Sequence, residues 1–106
     1  FPSTGKYLIM VSGSFYSSDP NNYVAFRPMI TNDNSTYYYA GINYASIFDN
    51  SSSAVYANTF SQALVDITNV STHKFRVSAT GNSNFTVMGD ASIAYSSVIF
   101  IKLGDT

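Results

Sequence analysis

Two segments of this chain, residues 6–16 and 97–103, have the composition of β-strands but are apolar on both faces. Successive side chains of a strand point to opposite faces. One face of the first segment carries Tyr7, Ile9, Val11 and Phe15, and the other carries Leu8 and Met10. An antiparallel strand with one solvated face would alternate apolar with polar residues instead. The first segment therefore needs apolar cover on both faces.

The second segment repeats this pattern near the other end of the sequence. One face carries Ile99, Ile101 and Leu103, and the other carries Val98 and Phe100. A chain of 106 residues has room for one hydrophobic core, so we expect further copies of the chain to supply the second cover. The sequence thus predicts a homo-oligomer. The residues predicted at the contact between copies are Tyr7, Leu8, Met10, Val98 and Phe100.

Clusters of turn-forming residues divide the chain at short, nearly regular intervals. The segments between them are rich in Tyr, Phe, Val, Ile and Thr, which favour strands. Strands are predicted at residues 6–16, 23–30, 36–44, 54–66, 73–80, 84–88 and 96–103, and a helical turn would fit only within 59–67. This spacing predicts an all-β fold, an antiparallel β-sandwich or jelly roll, as a single domain over residues 1–106.

The charge pattern argues against several classes of partner. Charged residues make up 10% of the chain, the net charge is −1, and the five cations are scattered along the sequence. Nucleic-acid binding requires clustered Lys and Arg, so we expect no nucleic-acid partner. No apolar run approaches the roughly eighteen residues that a membrane-spanning helix needs, so we expect no membrane partner either. Contacts with a partner are therefore expected to use hydrogen bonds and tyrosine stacking rather than charge.

Several strands resemble those of the tumour-necrosis-factor/C1q-like jelly rolls. Gly5-Lys6-Tyr7-Leu8-Ile9 is similar to the G-x-Y-x-hydrophobic strand of that family, and residues 96–103 are similar to its closing strand. Residues 60–67 and 73–77 resemble the pair of strands between them. The resemblance implies a homotrimer in which the opening and closing strands lie at a three-fold axis. The family has one or two strands before the G-x-Y strand, whereas only residues 1–4 precede it here, which implies that upstream strands are lacking or that the jelly roll is reduced.

Residues capable of catalysis or metal binding are few. His73 is the only histidine, and together with Asp66 and one of the many serines it would supply the residue types of a Ser-His-Asp catalytic triad. We interpret His73 as a structural residue at a strand edge. Asp33 and Asp49 lie in oxygen-rich loops, but calcium takes about six to eight oxygen ligands with several carboxylates, so turn formation is the preferred interpretation. No metal, cofactor or enzymatic activity is expected.

A run of tyrosines is the most distinctive candidate for partner binding. Alternation places Tyr38 opposite Tyr37 and Tyr39, so one set is predicted in the core and the other on the surface, with Tyr44 nearby. An exposed set could stack on sugars or dock a protein. The preferred interpretation is a contact between subunits or cross-strand packing. The loop that begins with Asp49 and Asn50 is also predicted to bind a partner, because loops at the ends of a sandwich meet partners.

Two functions from different classes remain open. The Ser-, Thr- and Asn-rich style of the chain resembles modules on bacteriophage fibres and capsid surfaces. The favoured hypothesis is therefore a structural virion protein, a trimeric surface, decoration or fibre-head module that contacts other virion surface proteins. The alternative is an extracellular or phage adhesion module that binds a host glycan or receptor. Either function predicts a location outside the cell or on the virion surface.

Overall fold

The computed structural model describes residues 1–48 and 54–106, without the side chains of residues 21 and 22. The strands are β1 (Gly5–Ser17), β2 (Asn21–Thr31), β3 (Tyr38–Tyr39), β4 (Ala45–Ile47), β5 (Val55–Ile67), β6 (Lys74–Gly81), β7 (Thr86–Val87) and β8 (Ser97–Gly104). No helix occurs among the described residues, and the all-β prediction is confirmed. None of the described segments could cross a membrane as a helix.

The strands form two antiparallel sheets. In sheet A, β1 pairs with β5 along one edge and with β7 and β8 along the other. In sheet B, β2 pairs with β6 along one edge and with β3 and β4 along the other. The chain changes sheet after β1, after β4, after β5 and after β6. Each sheet is therefore built on one long central strand.

The hydrophobic core lies between the two central strands, as expected for a β-sandwich. The rings of Phe15 from β1 and Phe26 from β2 are 4.8 Å apart and join the two sheets. The inward set of β1 is buried, as its alternation predicted, and comprises Tyr7, Ile9, Val11 and Phe15. Leu8 and Met10 point the other way and are half-buried. Burial of this kind contributes about 25 cal/mol for each Å² of apolar surface, so the core is the main source of stability.

The strand predicted over residues 36–44 is wrong in extent, because only Tyr38–Tyr39 pairs with β2. Beyond it, the chain leaves sheet B and covers the outer edge of β5. A Cβ on Gly41 would stand 2.8 Å from the carbonyl oxygen of Gln62. The Nδ2 of Asn43 donates a hydrogen bond of 2.7 Å to the carbonyl oxygen of Phe60. These contacts satisfy part of an edge that would otherwise be open to pairing. The helical turn considered within residues 59–67 is also absent, since these residues belong to β5.

Candidate functional site

A contiguous set of large apolar side chains covers the outer side of sheet A. Leu8 of β1 lies opposite Leu64 of β5 and Ile101 of β8, and Met10 lies opposite Ile99. The apolar face, as we call this surface, comprises Leu8, Met10, Phe60, Leu64, Ile99 and Ile101. Leu64 is 69% exposed, and Phe60 and Ile99 are each about half exposed. Large exposed apolar patches of this kind mark interaction sites in soluble proteins.

Strand β8 adds an open edge to this face. It pairs only with β1 among the described strands, so its other edge presents unpaired backbone N–H and C=O groups. Lys102 is its only charged residue, and its ammonium lies 2.9 Å from Asp105 Oδ1. An apolar edge strand with so little charge is a template for pairing with another chain. The apolar face and the β8 edge therefore point to association with another protein surface.

The five residues predicted at the contact between copies separate into two groups. Leu8 and Met10 lie on the apolar face. Tyr7 faces the core of its own chain, where it is 3% exposed and its Oη donates a hydrogen bond of 2.9 Å to the carbonyl oxygen of Ser3. Val98 and Phe100 alternate toward sheet B, and the Phe100 ring packs edge-on against Phe75 at 5.1 Å. Tyr7 thus contributes to internal packing, whereas Phe100 packs on Phe75 and remains 46% exposed.

Sequence reasoning missed the contribution of β5 to the apolar face. This strand directs small residues inward, namely Ala57, Thr59, Ser61 and Ala63, and all four are buried. Its large residues Tyr56, Phe60 and Leu64 point outward. The alternation of small and large residues along β5 was visible in the sequence, but large apolar residues are usually expected in the core. Large apolar residues on the outer face of β5 indicate that this face also packs against an apolar surface.

The outer side of sheet B has a different character, because both arginines of the chain lie there among tyrosines. The Nη1 of Arg27 donates a hydrogen bond of 3.1 Å to Tyr39 Oη, and its Nη2 donates one of 2.9 Å to Thr80 Oγ1. The guanidinium also lies 5.4 Å from the centroid of the Tyr39 ring. These contacts hold the Arg27 side chain along the sheet surface.

Arg76 is held in a similar way one strand further along. Its guanidinium carbon lies 4.0 Å above the centroid of the Tyr37 ring, which is close for a cation–π contact. Arg27 lies opposite Ser78, and Met29 lies opposite Arg76, so the two arginines are diagonal neighbours on one face. Diagonal neighbours of an antiparallel pair are about 7–8 Å apart. We call Arg27, Tyr37, Tyr39 and Arg76 the Tyr–Arg face.

The tyrosines do not divide into a core set and a surface set as predicted. Tyr38 and Tyr39 are each 58% exposed and Tyr37 is half-buried, so none of them belongs to the core. The arginines explain this, since they occupy the surface against which Tyr37 and Tyr39 pack. Tyr44 is 56% exposed and lies 5.5 Å from Tyr23, ring to ring.

The predicted residues Asp49 and Asn50 lie outside the described residues.

Tyr38 alternates away from the arginines and lines a shallow cleft together with Asp66 and His73. The imidazole of His73 hydrogen-bonds within its own turn, with Nδ1 2.9 Å from the carbonyl oxygen of Asn69. The backbone N–H of His73 donates to the same oxygen at 3.0 Å. These two bonds close the turn before β6, as the structural interpretation of His73 requires.

Asp33 is used by its own turn. Its Oδ1 accepts hydrogen bonds from Thr31 Oγ1 at 2.7 Å, from the Ser35 N–H at 2.8 Å and from the Thr36 N–H at 2.7 Å. The Thr31 hydroxyl, and after it the two backbone donors, lower the pKa of the Asp33 carboxyl below its usual value. Within residues 1–48 and 54–106, no three His, Cys, Asp or Glu side chains come together as metal ligands.

Comparison with protein-family models, with curated proteins and with solved structures found no match.

Proposed function

We propose that this chain is a non-enzymatic structural module that assembles with copies of itself as a homotrimer. The apolar face of sheet A carries this proposal. It joins three strands into one exposed surface, with Leu8 between Leu64 and Ile101. Exposing an apolar surface of this kind to water is unfavourable in free energy. Further copies of the chain carry equivalent apolar faces that could cover it.

The finer proposal is a jelly-roll surface, decoration or fibre-head module of a virion, located extracellularly or on the particle. It is supported by the resemblance to trimeric jelly rolls and by the two-sided strands at residues 6–16 and 97–103. In that arrangement β1 and β8 lie side by side near the three-fold axis, and they are neighbours in sheet A. The low charge of the chain fits a protein that acts through surface contacts.

Light scattering coupled to size-exclusion chromatography tests the assembly. The wild-type chain is expected to elute as a trimer at micromolar concentration. Leu64→Asp places a charge on the apolar face and should yield a folded monomer, because burying an unpaired carboxylate is costly. Ile93→Asp is the matched control, since Ile93 is 53% exposed, lies in the connection between β7 and β8, and is not part of the apolar face. A wild-type monomer, or a trimer that tolerates Leu64→Asp, would contradict the proposal.

The virion location has its own test. Mass spectrometry of purified particles from the source should detect the chain in a fixed ratio to the major capsid protein. Labelling of intact particles with an antibody should then place it on the surface. Absence from purified particles would contradict the location without affecting the proposed assembly.

A second candidate function is the binding of a glycan or receptor, and the Tyr–Arg face favours it. Tyr39 is 58% exposed and offers an aromatic surface beside the arginines. A glycan array probed with the labelled chain separates this function from a purely structural one. Binding to no glycan on the array would leave the structural function as the one supported.

A further inference from the structure

We propose that the Tyr–Arg face binds an acidic saccharide, with a carboxylate or sulfate group held between Arg27 and Arg76. This inference narrows the second candidate function to one chemical class of ligand. It does not depend on the proposed trimer, because the apolar face belongs to sheet A and the Tyr–Arg face belongs to sheet B.

The two arginines lack anionic partners in the described part of the chain. The only ion pair among the described residues joins Lys102 to Asp105, so no described carboxylate lies within ion-pair distance of either guanidinium. Nη1 and Nη2 of Arg27 each donate one hydrogen bond, to a tyrosine and a threonine, and each keeps a second N–H for a ligand. Its Nε is buried without a hydrogen-bond partner among the described residues. Arg76 is exposed, and its guanidinium lies on the Tyr37 ring. Two guanidinium groups with spare donors and no counter-charge form a site for an anion.

The site is preorganised by its tyrosines. A free arginine on a surface loses side-chain entropy when it binds a ligand. Here Tyr37 lies under one guanidinium, and Tyr39 accepts a hydrogen bond from the other, with its ring centroid 5.4 Å away. Both rings thus restrict the arginines before a ligand arrives. The strands of a sheet are also more rigid supports than loops.

The surroundings of the arginines favour a sugar as the carrier of the anion. The Thr80 hydroxyl and the Tyr39 hydroxyl lie beside Arg27, and Ser78 lies across from it in the register. Hydroxyl groups on both sides match the hydroxyls of a saccharide. The exposed Tyr39 ring offers a flat apolar surface against which the apolar side of a sugar ring can pack. An acidic peptide or a nucleic acid would be expected to need a longer cationic track than two arginines.

Titration calorimetry at low salt, with the full chain, tests the inference. The probes are the methyl α-glycoside of N-acetylneuraminic acid, which carries a carboxylate, and galactose 6-sulfate, which carries a sulfate. The comparison probes are methyl β-galactoside, sodium sulfate, a hexa-aspartate peptide and a short oligothymidylate. We expect one or both acidic sugars to bind and the neutral sugar to bind at least tenfold more weakly.

The variants locate the binding. Arg76→Gln should weaken binding of the acidic sugar about tenfold or more, because it removes a charge-assisted hydrogen bond to the anion. Arg76 is exposed, so this variant is expected to fold. Arg76→Lys keeps the charge without the planar fork and should bind with intermediate affinity. Lys6→Gln is the matched control, since it removes one exposed charge from sheet A and should leave the affinity unchanged.

Several results would overturn the inference. They are equal binding of the neutral sugar, binding of sulfate ion as tight as that of the sugars, or an equal loss of affinity in Lys6→Gln and Arg76→Gln. Tighter binding of the peptide or the oligonucleotide would assign the face to another class of partner. Failure of every acidic sugar to bind while a neutral glycan on the array does would reject this ligand class but retain the glycan-binding function.

Discussion

The ring of Phe26 occupies the space that a Cβ on Gly13 would need, so a ring from sheet B packs directly on the backbone of β1 where β1 has no side chain. Phe26 also contacts Phe15 across the core at 4.8 Å. The glycine is therefore required by packing, and the position of the central ring depends on it.

Gly13→Ala is expected to destabilise the fold by about 1–3 kcal/mol, the usual cost of overpacking a core. Urea unfolding followed by circular dichroism measures the change. Gly89→Ala is the matched control, since a Cβ at Gly89 meets nothing within 4 Å and should cost little. The cost of Gly13→Ala should fall in a Phe26→Leu background, because the two sites share one volume. A cost that stays the same in both backgrounds would show that the Phe26 ring is not the obstacle.

Asp33 predicts a specific dependence of stability on pH. Its hydrogen bonds to Thr31, Ser35 and Thr36 lower the pKa of the folded-state carboxyl, so the ionised form stabilises the folded chain. This contribution is present above the unfolded pKa of about 3.9 and is lost as the pH falls below it. Asp33→Asn should therefore be less stable than the wild type at pH 6, and the difference should shrink toward pH 2.

Urea unfolding of both proteins at pH 6, 4 and 2 checks this expectation. Asp66→Asn removes an exposed carboxylate from β5 and controls for the change in net charge. A stability difference between wild type and Asp33→Asn that is the same at all three pH values would mean that Asp33 ionisation is not coupled to folding.

His73 is expected to matter for its turn and not for binding or assembly. His73→Gln should leave the proposed self-association and the affinity for any saccharide within a few-fold of wild type, because the hydrogen bonds of the imidazole stay within the turn, at Asn69 and Thr72, among the described residues. Scattering and calorimetry measure the two properties on one sample. Loss of either property in a variant with an unchanged circular dichroism spectrum would give His73 a functional role.

The strands with a long, regular alternation could be predicted from the sequence, and the tertiary arrangement around them could not. The inward set of β1 follows from its period of two, and Ile9 is fully buried as that period requires. The short extent of β3 could not be predicted, since it results from contacts of Gly41 and Asn43 with β5. Local pattern identifies the two faces of a strand, but it does not say which face meets the core.

The Tyr–Arg face shows the same limit for the candidate site. Arg27 and Arg76 appear scattered along the sequence, and the register between β2 and β6 makes them neighbours. That register is set by which side chains fill the core, so no short motif reports it. The tyrosines were visible as a cluster, whereas the charges that pack against them were not.

Phe100 and Ile101 are adjacent on β8, and truncating each to Ala should affect a different property. Phe100 packs edge-on against Phe1 and Phe75, at 5.7 and 5.1 Å between ring centroids, so Phe100→Ala should lower the stability of the monomer. We expect a cost of about 1–3 kcal/mol, below the full range for a buried Phe, since the ring is 46% exposed. Ile101 lies on the apolar face opposite Leu8, so Ile101→Ala should weaken self-association and spare the monomer.

Urea unfolding at several protein concentrations distinguishes a loss of monomer stability from a loss of self-association. Unfolding of Phe100→Ala should occur at lower urea than wild type at every concentration. The midpoint for Ile101→Ala should approach that of wild type as dilution dissociates both, since only the assembled state uses its side chain. If Ile101→Ala is equally destabilised at all concentrations, the apolar face serves the monomer and the proposed assembly loses its main support.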